Sequence, residues 1–259
     1  MRTPPGARLV TAPEELEEFY ADHRAAHIYA LVDLEPPFWE GSRWYRRDDA
    51  VAGVVALPNG EGLAVYSVST KDPVGSSQLV CELAPDLPAG LLITGPAHIE
   101  AKLEDVRPII RMGPHVRYEL ADSTAVPPRR ADIVDLGPSD EAEIQALYDS
   151  DPGAAFFLPH MLVDAAFVGL RVDGLLVAAA GTHVLSERQR IAAIGAVYTR
   201  PDHRGSGHGA AVTAGAIHRL GDRVDVVGLN VHADNVAARR IYEGMGFRPI
   251  LDYAEAELA

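Results

Sequence analysis

The sequence predicts a mixed α/β (α+β) protein built as two α/β halves. Three observations carry this. In the second half, strand-like and helix-like stretches follow one another as β-α-β-β-β-α-β-α-β, the order of a mixed sheet with helices on its faces. A polar stretch, Asp122 to Asp132, holds the adjacent prolines Pro127 and Pro128 and separates two patterned regions. Finally, 259 residues, 47% hydrophobic and 23% charged, suit one large or two modest domains with a full core. The boundary falls near residue 125, giving domains 1–125 and 126–259.

The second half is the clearer one. Ile133–Leu136 is a short apolar strand. Pro138-Ser139-Asp140-Glu141 opens a helix with acidic residues in its first turn, where the helix dipole favours them, and it runs to about Tyr148. Asp151-Pro152-Gly153 breaks it. Ala166–Val172, Asp173-Gly174 and Leu175–Val184 form a hairpin signal. Ile191–Thr199 reads as a buried strand, Gly205–Gly209 as a glycine-rich turn, and Ala210–Leu220 as a helix. Asp225–Val231 is a strand, Asn235–Met245 a helix stopped by Gly246, and Arg248–Tyr253 a last strand.

In the first half, Pro13–Ala26 reads as a helix. Gly41–Arg46, Ala50–Leu57, Gly62–Ser69 and Leu91–Thr94 read as strands, with a turn at Asn59-Gly60. Glu100–Ile110 reads as a helix interrupted near Pro108. No internal repeat is visible in the letters.

Composition excludes several classes. No apolar run approaches the roughly 18 residues of a membrane span. Met1 to Tyr20 holds prolines and four glutamates and no basic-then-apolar signal, so a cytoplasmic protein is expected. A single cysteine, Cys81, excludes a disulfide framework and a cysteine-based zinc cage. The net charge of −14 is spread evenly: residues 1–125 carry 11 basic and 19 acidic side chains, residues 126–259 carry 12 and 18. That balance speaks against nucleic acid as a partner, because duplex affinity comes from Lys and Arg on phosphate.

The chemistry concentrates in Ala196 to Gly209. A strand ends, a short turn follows, and Arg204-x-x-Gly207-x-Gly209, with Gly205 inside it, opens a helix. Successive backbone N–H groups from Gly205 to Gly209 can face one concavity, the helix adds its positive end, and Arg204 adds charge. This suits a pyrophosphate; a glycine-rich turn without ligand is the plainer alternative. The spacing fits neither the dinucleotide fingerprint G-x-G-x-x-G nor the P-loop G-K-[ST]. A second element follows the next strand. Asn235 suits an N-cap, and Asn235, Ala238 and Tyr242 share one helix face before Gly246-Phe247.

Together, Arg204–Gly209 and Asn235-x-x-Ala238-x-x-x-Tyr242-x-x-x-Gly246-Phe247 resemble the GNAT superfamily of acyl-CoA-dependent N-acyltransferases, over about residues 131–254. The resemblance implies a GNAT-like mixed sheet flanked by helices in the C-terminal domain, with acetyl-CoA as default donor and no metal. It implies that Val197 and Thr199 offer backbone groups to the pantetheine arm at a splay between two parallel strands. Arg204, Gly205, Gly207 and Gly209, with Ser206 and His208 among them, match the pyrophosphate loop. Asn235 would contact the pantetheine arm or nearby phosphate. Tyr242 matches the general acid that protonates the departing thiolate; a core tyrosine is the structural alternative. An amine would attack the thioester directly, with a backbone N–H such as that of Val197 polarising the carbonyl.

The pattern departs from the family at the fourth strand, where Ile191 to Ala196 holds no ionisable group in place of the usual glutamate base. His183 on the third strand is one candidate base, and a water chain or a neutral amine is another. Small residues at Ala193 and Gly195 could equally leave room for substrate. His160, in Phe156-Phe157-Leu158-Pro159-His160-Met161, falls in the segment resembling the family's acceptor-specificity region; core packing is the alternative. His23 and His27 stand four apart, without the Glu of H-E-x-x-H, and are not expected to bind metal. Cys81 reads as structural.

The N-terminal half lacks the glycine loop. Leu91–Pro96 and the aromatic segment Phe38–Tyr45 are similar to the degenerate GNAT-like domain of two-domain members of the glycine N-acyltransferase type. That half would not bind CoA and would shape the acceptor site or a homodimer contact. The acceptor is expected to be a small-molecule or protein amine, with neither nucleic acid nor membrane as partner. The alternative is a CoA-binding sensor or regulatory module without turnover.

Overall fold

The structure, a computed structural model, describes residues 1–57, 62–151, 157–163 and 166–259, and the backbone alone of His160. The turn expected at Asn59-Gly60, the break at Pro152-Gly153 and the aromatic Phe156 lie outside the described residues. The chain divides into two compact units. The N-terminal unit comprises Met1–Arg117, Val231–Asp234 and Pro249–Ala259; the C-terminal unit comprises Tyr118–Asn230 and Asn235–Arg248.

In chain order the first elements are β1 (Arg8–Val10), α1 (Pro13–Tyr20), α2 (Ile28–Asp33), α3 (Phe38–Gly41), β2 (Arg43–Arg47), β3 (Ala50–Ala56), β4 (Leu63–Tyr66), α4 (Pro73–Leu83), β5 (Leu92–Pro96), α5 (Ile99–Glu104) and β6 (Ile109–Leu120). They continue with β7 (Ile133–Asp135), α6 (Glu141–Asp149), β8 (Val168–Val172), β9 (Leu175–Ser186), β10 (Ile191–Thr199), α7 (His208–Leu220), β11 (Val226–His232), α8 (Val236–Gly244) and β12 (Phe247–Leu258).

In the N-terminal unit β1 to β4 pair antiparallel in sequence order, and β4 pairs parallel with β5 across the α4 crossover. Strand β5 then pairs antiparallel with β12, from Tyr253 opposite Pro96 to Glu257 opposite Leu92. The core joins Val54, Val65, Leu79, Leu83, Ile93 and Leu103 to Ala254, Ala256 and Leu258. In the C-terminal unit β7 to β10 pair antiparallel in order, and β10 pairs parallel with β11 across α7. Residues 176–182 of β9 are buried on both faces, which explains their near-continuous apolar run. Leu136, Ile144, Leu147 and Phe167 pack on that strand's side of the core.

The α/β class is therefore observed, and each half of the sequence, 8–120 and 133–258, runs strand, helical segment, three antiparallel strands, helix, parallel strand, helix, strand. The two halves thus share the order and sense of their strands, a likeness that the letters do not show.

Several elements differ from the expected ones. The helix expected over Glu100–Ile110 stops at Glu104, and β6 begins at Ile109. Pro108 explains the switch: it cannot continue a helix and disfavours helical backbone in the residue before it. The apolar run around Cys81 is helix α4, opened by Asp72, whose carboxylate accepts the Gly75 N–H at 2.8 Å, with Pro73 at the first helical position. The final strand extends past Tyr253 to Leu258 because its partner is β5.

Candidate active site

Parallel pairing of β10 with β11 runs from Ile191–Val226 to Ile194–Leu229 and ends there, although both strands continue. Beyond Ile194 the two diverge, and Gly195 to Thr199 carry backbone groups outside that pairing. Two irregularities against β9 accompany the divergence. One extra residue sits on β9, at His183, between the pairs Ala193–Val184 and Ile194–Thr182. One extra residue sits on β10, at Ala196-Val197, between Gly195–Gly181 and Tyr198–Ala179. The bulges are on opposite strands, so the register before and after is the same. Each bends its strand and re-aims the groups beside it.

Ala196 carries φ +50°, left-handed backbone that costs a non-glycine residue about 1–2 kcal/mol. Two contacts hold it there. Its N–H donates to His183 Nε2 at 2.9 Å, its carbonyl accepts the Tyr148 hydroxyl at 2.6 Å, and Tyr148 sits on α6. The His183 ring lies so close over Gly195 that a Cβ there would overlap it. The room suggested for substrate at Gly195 is thus filled by His183, and Ala193 is fully buried. Because Nε2 accepts the Ala196 N–H, that nitrogen carries no proton and its lone pair is engaged, which counts against His183 as the base.

Past Thr199 the chain makes a short turn at Pro201–His203 and enters the glycine loop. Gly205 (φ +81°) and Gly207 (φ +76°) are both left-handed, and a Cβ on either would meet nothing within 4 Å. Gly207 is the N-cap of α7, and its carbonyl takes the first helical bond, from Ala211 N–H at 3.0 Å. Open backbone at the loop's glycines and the amino end of a 13-residue helix suit an anion. Among the described residues, the buried His208 Nδ1 has no hydrogen-bond partner, an orphan in a loop otherwise ready for phosphate oxygens. The residues present fit the pyrophosphate of acyl-CoA.

Arg204 is braced: Nε donates to the Thr199 carbonyl at 3.0 Å, Nη2 to Asp151 at 3.1 Å, and the guanidinium lies 5.7 Å from the Tyr198 ring centroid. Ser206 is exposed within the loop, and Gly209 lies in the first turn of α7, where a Cβ would make ordinary contact with the Thr199 hydroxyl at 3.5 Å. Val197 is half-buried in the β10 bulge. Asn235 caps α8, its Oδ1 accepting the Ala238 N–H at 3.1 Å. Tyr242 is the buried residue of α8, edge-on to Phe247 at 6.1 Å. Burial pushes its hydroxyl up to about 12, so it is protonated at neutral pH, and it makes no hydrogen bond among the described residues.

Other expected candidates fall elsewhere. Phe157 packs against Tyr148 and Phe167 in the core. His160 has only its backbone described. His27 is buried between the Tyr66 hydroxyl (3.3 Å) and the Thr70 hydroxyl (3.1 Å), and burial with the nearby Arg117 charge drives it down to about 3. Cys81 is half-buried on the N-terminal core, and burial pushes its thiol up. No group of three metal-ligating side chains occurs among the described residues. In the N-terminal unit the turn before α4 has no left-handed glycine, and its helix start is occupied by the Asp72 carboxylate. Sequence reasoning missed Tyr148 and both bulges. The visible signal was Gly195, a glycine in mid-strand, which often marks a bulge or a close approach.

The sequence model of the Acetyltransferase (GNAT) family matches residues 135–247. Curated proteins give no match. Among solved structures, a GNAT-family protein from Novosphingobium aromaticivorans is 23% identical over 80% of this chain and 88% of its own, with a TM-score of 0.61. A Drosophila melanogaster protein is 14% identical, covers 98% of both chains and superposes at 0.71. A tandem GNAT protein from the clavulanic acid biosynthesis pathway is 16% identical over 96% of this chain and 97% of its own, at 0.53. At these identities the structures speak for the fold, and the family match speaks for the site-bearing segment. Residues 135–247 of this chain are a GNAT-family acetyltransferase domain.

Proposed function

We propose that the protein is an acetyl-CoA-dependent N-acetyltransferase whose acceptor is a small-molecule or protein amine. One observation carries the reading. An open, glycine-lined helix start follows directly on the strand whose parallel pairing ends at Ile194, so anion cradle and splay adjoin. Acetyl-CoA supplies the activated acyl group as a thioester. The backbone of Gly205 to Gly209 and the start of α7 hold its pyrophosphate, with Ser206, His208 and Arg204 beside them. Val197 and Thr199 offer backbone groups to the pantetheine arm, and Asn235, at the start of α8, contacts that arm or the nearby phosphate.

The acceptor nitrogen bonds to the acyl carbon as the carbon–sulfur bond breaks. The Val197 N–H takes up charge developing on the acyl oxygen. Tyr242, protonated at neutral pH, gives its proton to the sulfur as the carbon–sulfur bond breaks, and its phenolate takes up the proton that the newly acylated nitrogen releases, so that amide and thiol leave and the phenol is restored. Holding both reactants at the splay supplies much of the acceleration. The N-terminal unit, whose α4 start is closed by Asp72, does not hold CoA. Its repeated strand order supports a tandem arrangement like that of the clavulanic acid pathway neighbour. The charge of −14 favours neither nucleic acid nor an anionic membrane, no helix among the described residues could span a bilayer, and we place the protein in the cytoplasm.

Thermal melting with acetyl-CoA, CoA and NAD tests the cradle. A ligand at 100 times its Kd adds about 2.7 kcal/mol, several degrees for a protein this size. Both CoA species should shift the transition and NAD should not; no shift at saturation would remove the reading. Thiol release with an amine panel then tests turnover. One feature favours a second reading, a CoA-binding sensor: residues 191–197 carry no ionisable side chain, and His183 Nε2 is engaged. Binding without thiol release from any amine would select it.

A further inference from the structure

The backbone at Ala196 is held in an unfavourable conformation by side chains from two other elements. The N–H of Ala196 belongs to the peptide joining Gly195 to Ala196, and its carbonyl belongs to the peptide joining Ala196 to Val197. His183 Nε2 takes the first at 2.9 Å, and the Tyr148 hydroxyl donates to the second at 2.6 Å. The two bonds restrain both soft torsions of one residue, at φ +50°. They also restrain the Val197 N–H, which shares its peptide plane with the carbonyl that Tyr148 holds. His183 is itself the extra residue of the compensating bulge on β9, so the side chain that fills one bulge stabilises the other. Gly195 is the size this needs, because the His183 ring occupies the space of a Cβ.

We propose that His183 and Tyr148 are positioning residues: a two-sided clamp on Ala196 that fixes the direction of the Val197 N–H for the acyl oxygen. The inference rests on the acetyltransferase reading for its catalytic consequence, but the clamp itself does not. Acting this way, His183 works as a neutral hydrogen-bond acceptor with its proton on Nδ1, and takes no proton from the acceptor amine.

Two measurements test it on the full chain. In ¹⁵N-labelled protein, the His183 side chain should show an unprotonated Nε2 and a protonated Nδ1, with scalar coupling across the hydrogen bond between Nε2 and the Ala196 nitrogen. A protonated Nε2, or no coupling at an unprotonated one, overturns the clamp. This readout stands even if the wild type neither binds CoA nor releases thiol, which would sink the acetyltransferase reading separately. In kinetics, Tyr148→Phe and His183→Leu should each lower kcat by about 10- to 100-fold, the scale of a small misplacement at a reacting centre, with the KM for acetyl-CoA within about twofold. His183→Gln, which keeps an acceptor, should retain most of the activity. Ala196→Gly in the His183→Leu background should recover part of it, because glycine adopts φ +50° without strain. Unchanged kcat in Tyr148→Phe overturns the proposal. So does a His183→Gln variant as inactive as His183→Leu whose loss is recovered at higher pH, the behaviour of a missing base. Should His183→Leu fail to fold, the isosteric Tyr148→Phe and the spectra still decide.

Discussion

Tyr242 illustrates how burial can set a residue's chemistry. No charge partner acts on it among the described residues; desolvation raises its hydroxyl to about 12 and keeps it protonated throughout the neutral range. Tyr242→Phe should lower turnover about 100-fold while leaving the CoA-induced melting shift intact, the pattern of a lost general acid. Unchanged turnover would return Tyr242 to plain core packing. His27 shows burial acting on a base. Its folded pKa, near 3, is depressed below the unfolded value of about 6.5, so its neutral form is preferred only in the fold. The unfolded chain takes up the extra proton as pH falls between these values, and stability declines through that window. The stability advantage of wild type over His27→Gln should therefore shrink by up to about 1.4 kcal/mol per pH unit below pH ~6, read from urea melts of both proteins. A difference independent of pH would mean that His27 titrates alike in both states.

Among the elements, the glycine loop and α7 were the most legible. Glycines at 205, 207 and 209 announced left-handed backbone and close approach, and the first two do carry positive φ. The Asn235 cap was equally readable, since the side chain and the first-turn N–H it accepts are three residues apart. Gly207→Asp should abolish the CoA-induced melting shift, because it brings a carboxylate to the mouth of an anion site; a full shift in that variant would mean the loop does not hold the pyrophosphate. What stayed hidden is non-local. The compensating bulges depend on how β9 and β10 meet, and only the mid-strand Gly195 hints at them. His183 looked like a candidate base because sequence shows a titratable group without showing what its lone pair faces. Helix α4 was obscured by its mixture of serines, glycine and apolar residues, and β6 by the run of helix-forming residues before Pro108. Both are settled by partners far along the chain.

At the scale of the molecule, the units do not follow the break in composition near residue 125. The two prolines there lie within the C-terminal unit, while residues 249–259 belong to the N-terminal one. Truncation after Arg248 should consequently damage the N-terminal unit. It removes the strand on the far side of β5, together with the fully buried Tyr253, Ala256 and Leu258. Burial of the two larger side chains alone is worth about 3–6 kcal/mol, comparable with a whole domain's margin of about 5–15 kcal/mol. Hydrogen exchange should show lost protection in β3 to β5 of the truncated protein, with the amides of α7 far less affected. Native protection in β5 after truncation would mean that β12 adds little to that sheet.

The pairing of β5 with β12 also bears on how a ribosome delivers this chain. The N-terminal unit is the first to emerge, yet the segment that covers β5 is translated about 150 residues later. At roughly 5–20 residues per second, β5 spends on the order of 10–30 seconds with an open edge before its neighbour exists. Throughout that interval the nascent chain exposes one unpaired edge of β5 flanked by apolar side chains, a template for pairing with other nascent chains or for a chaperone. Slower synthesis between residues 97 and 249 lengthens the exposure, so codon choice in that stretch should govern the yield of soluble protein more strongly than codon choice before residue 60.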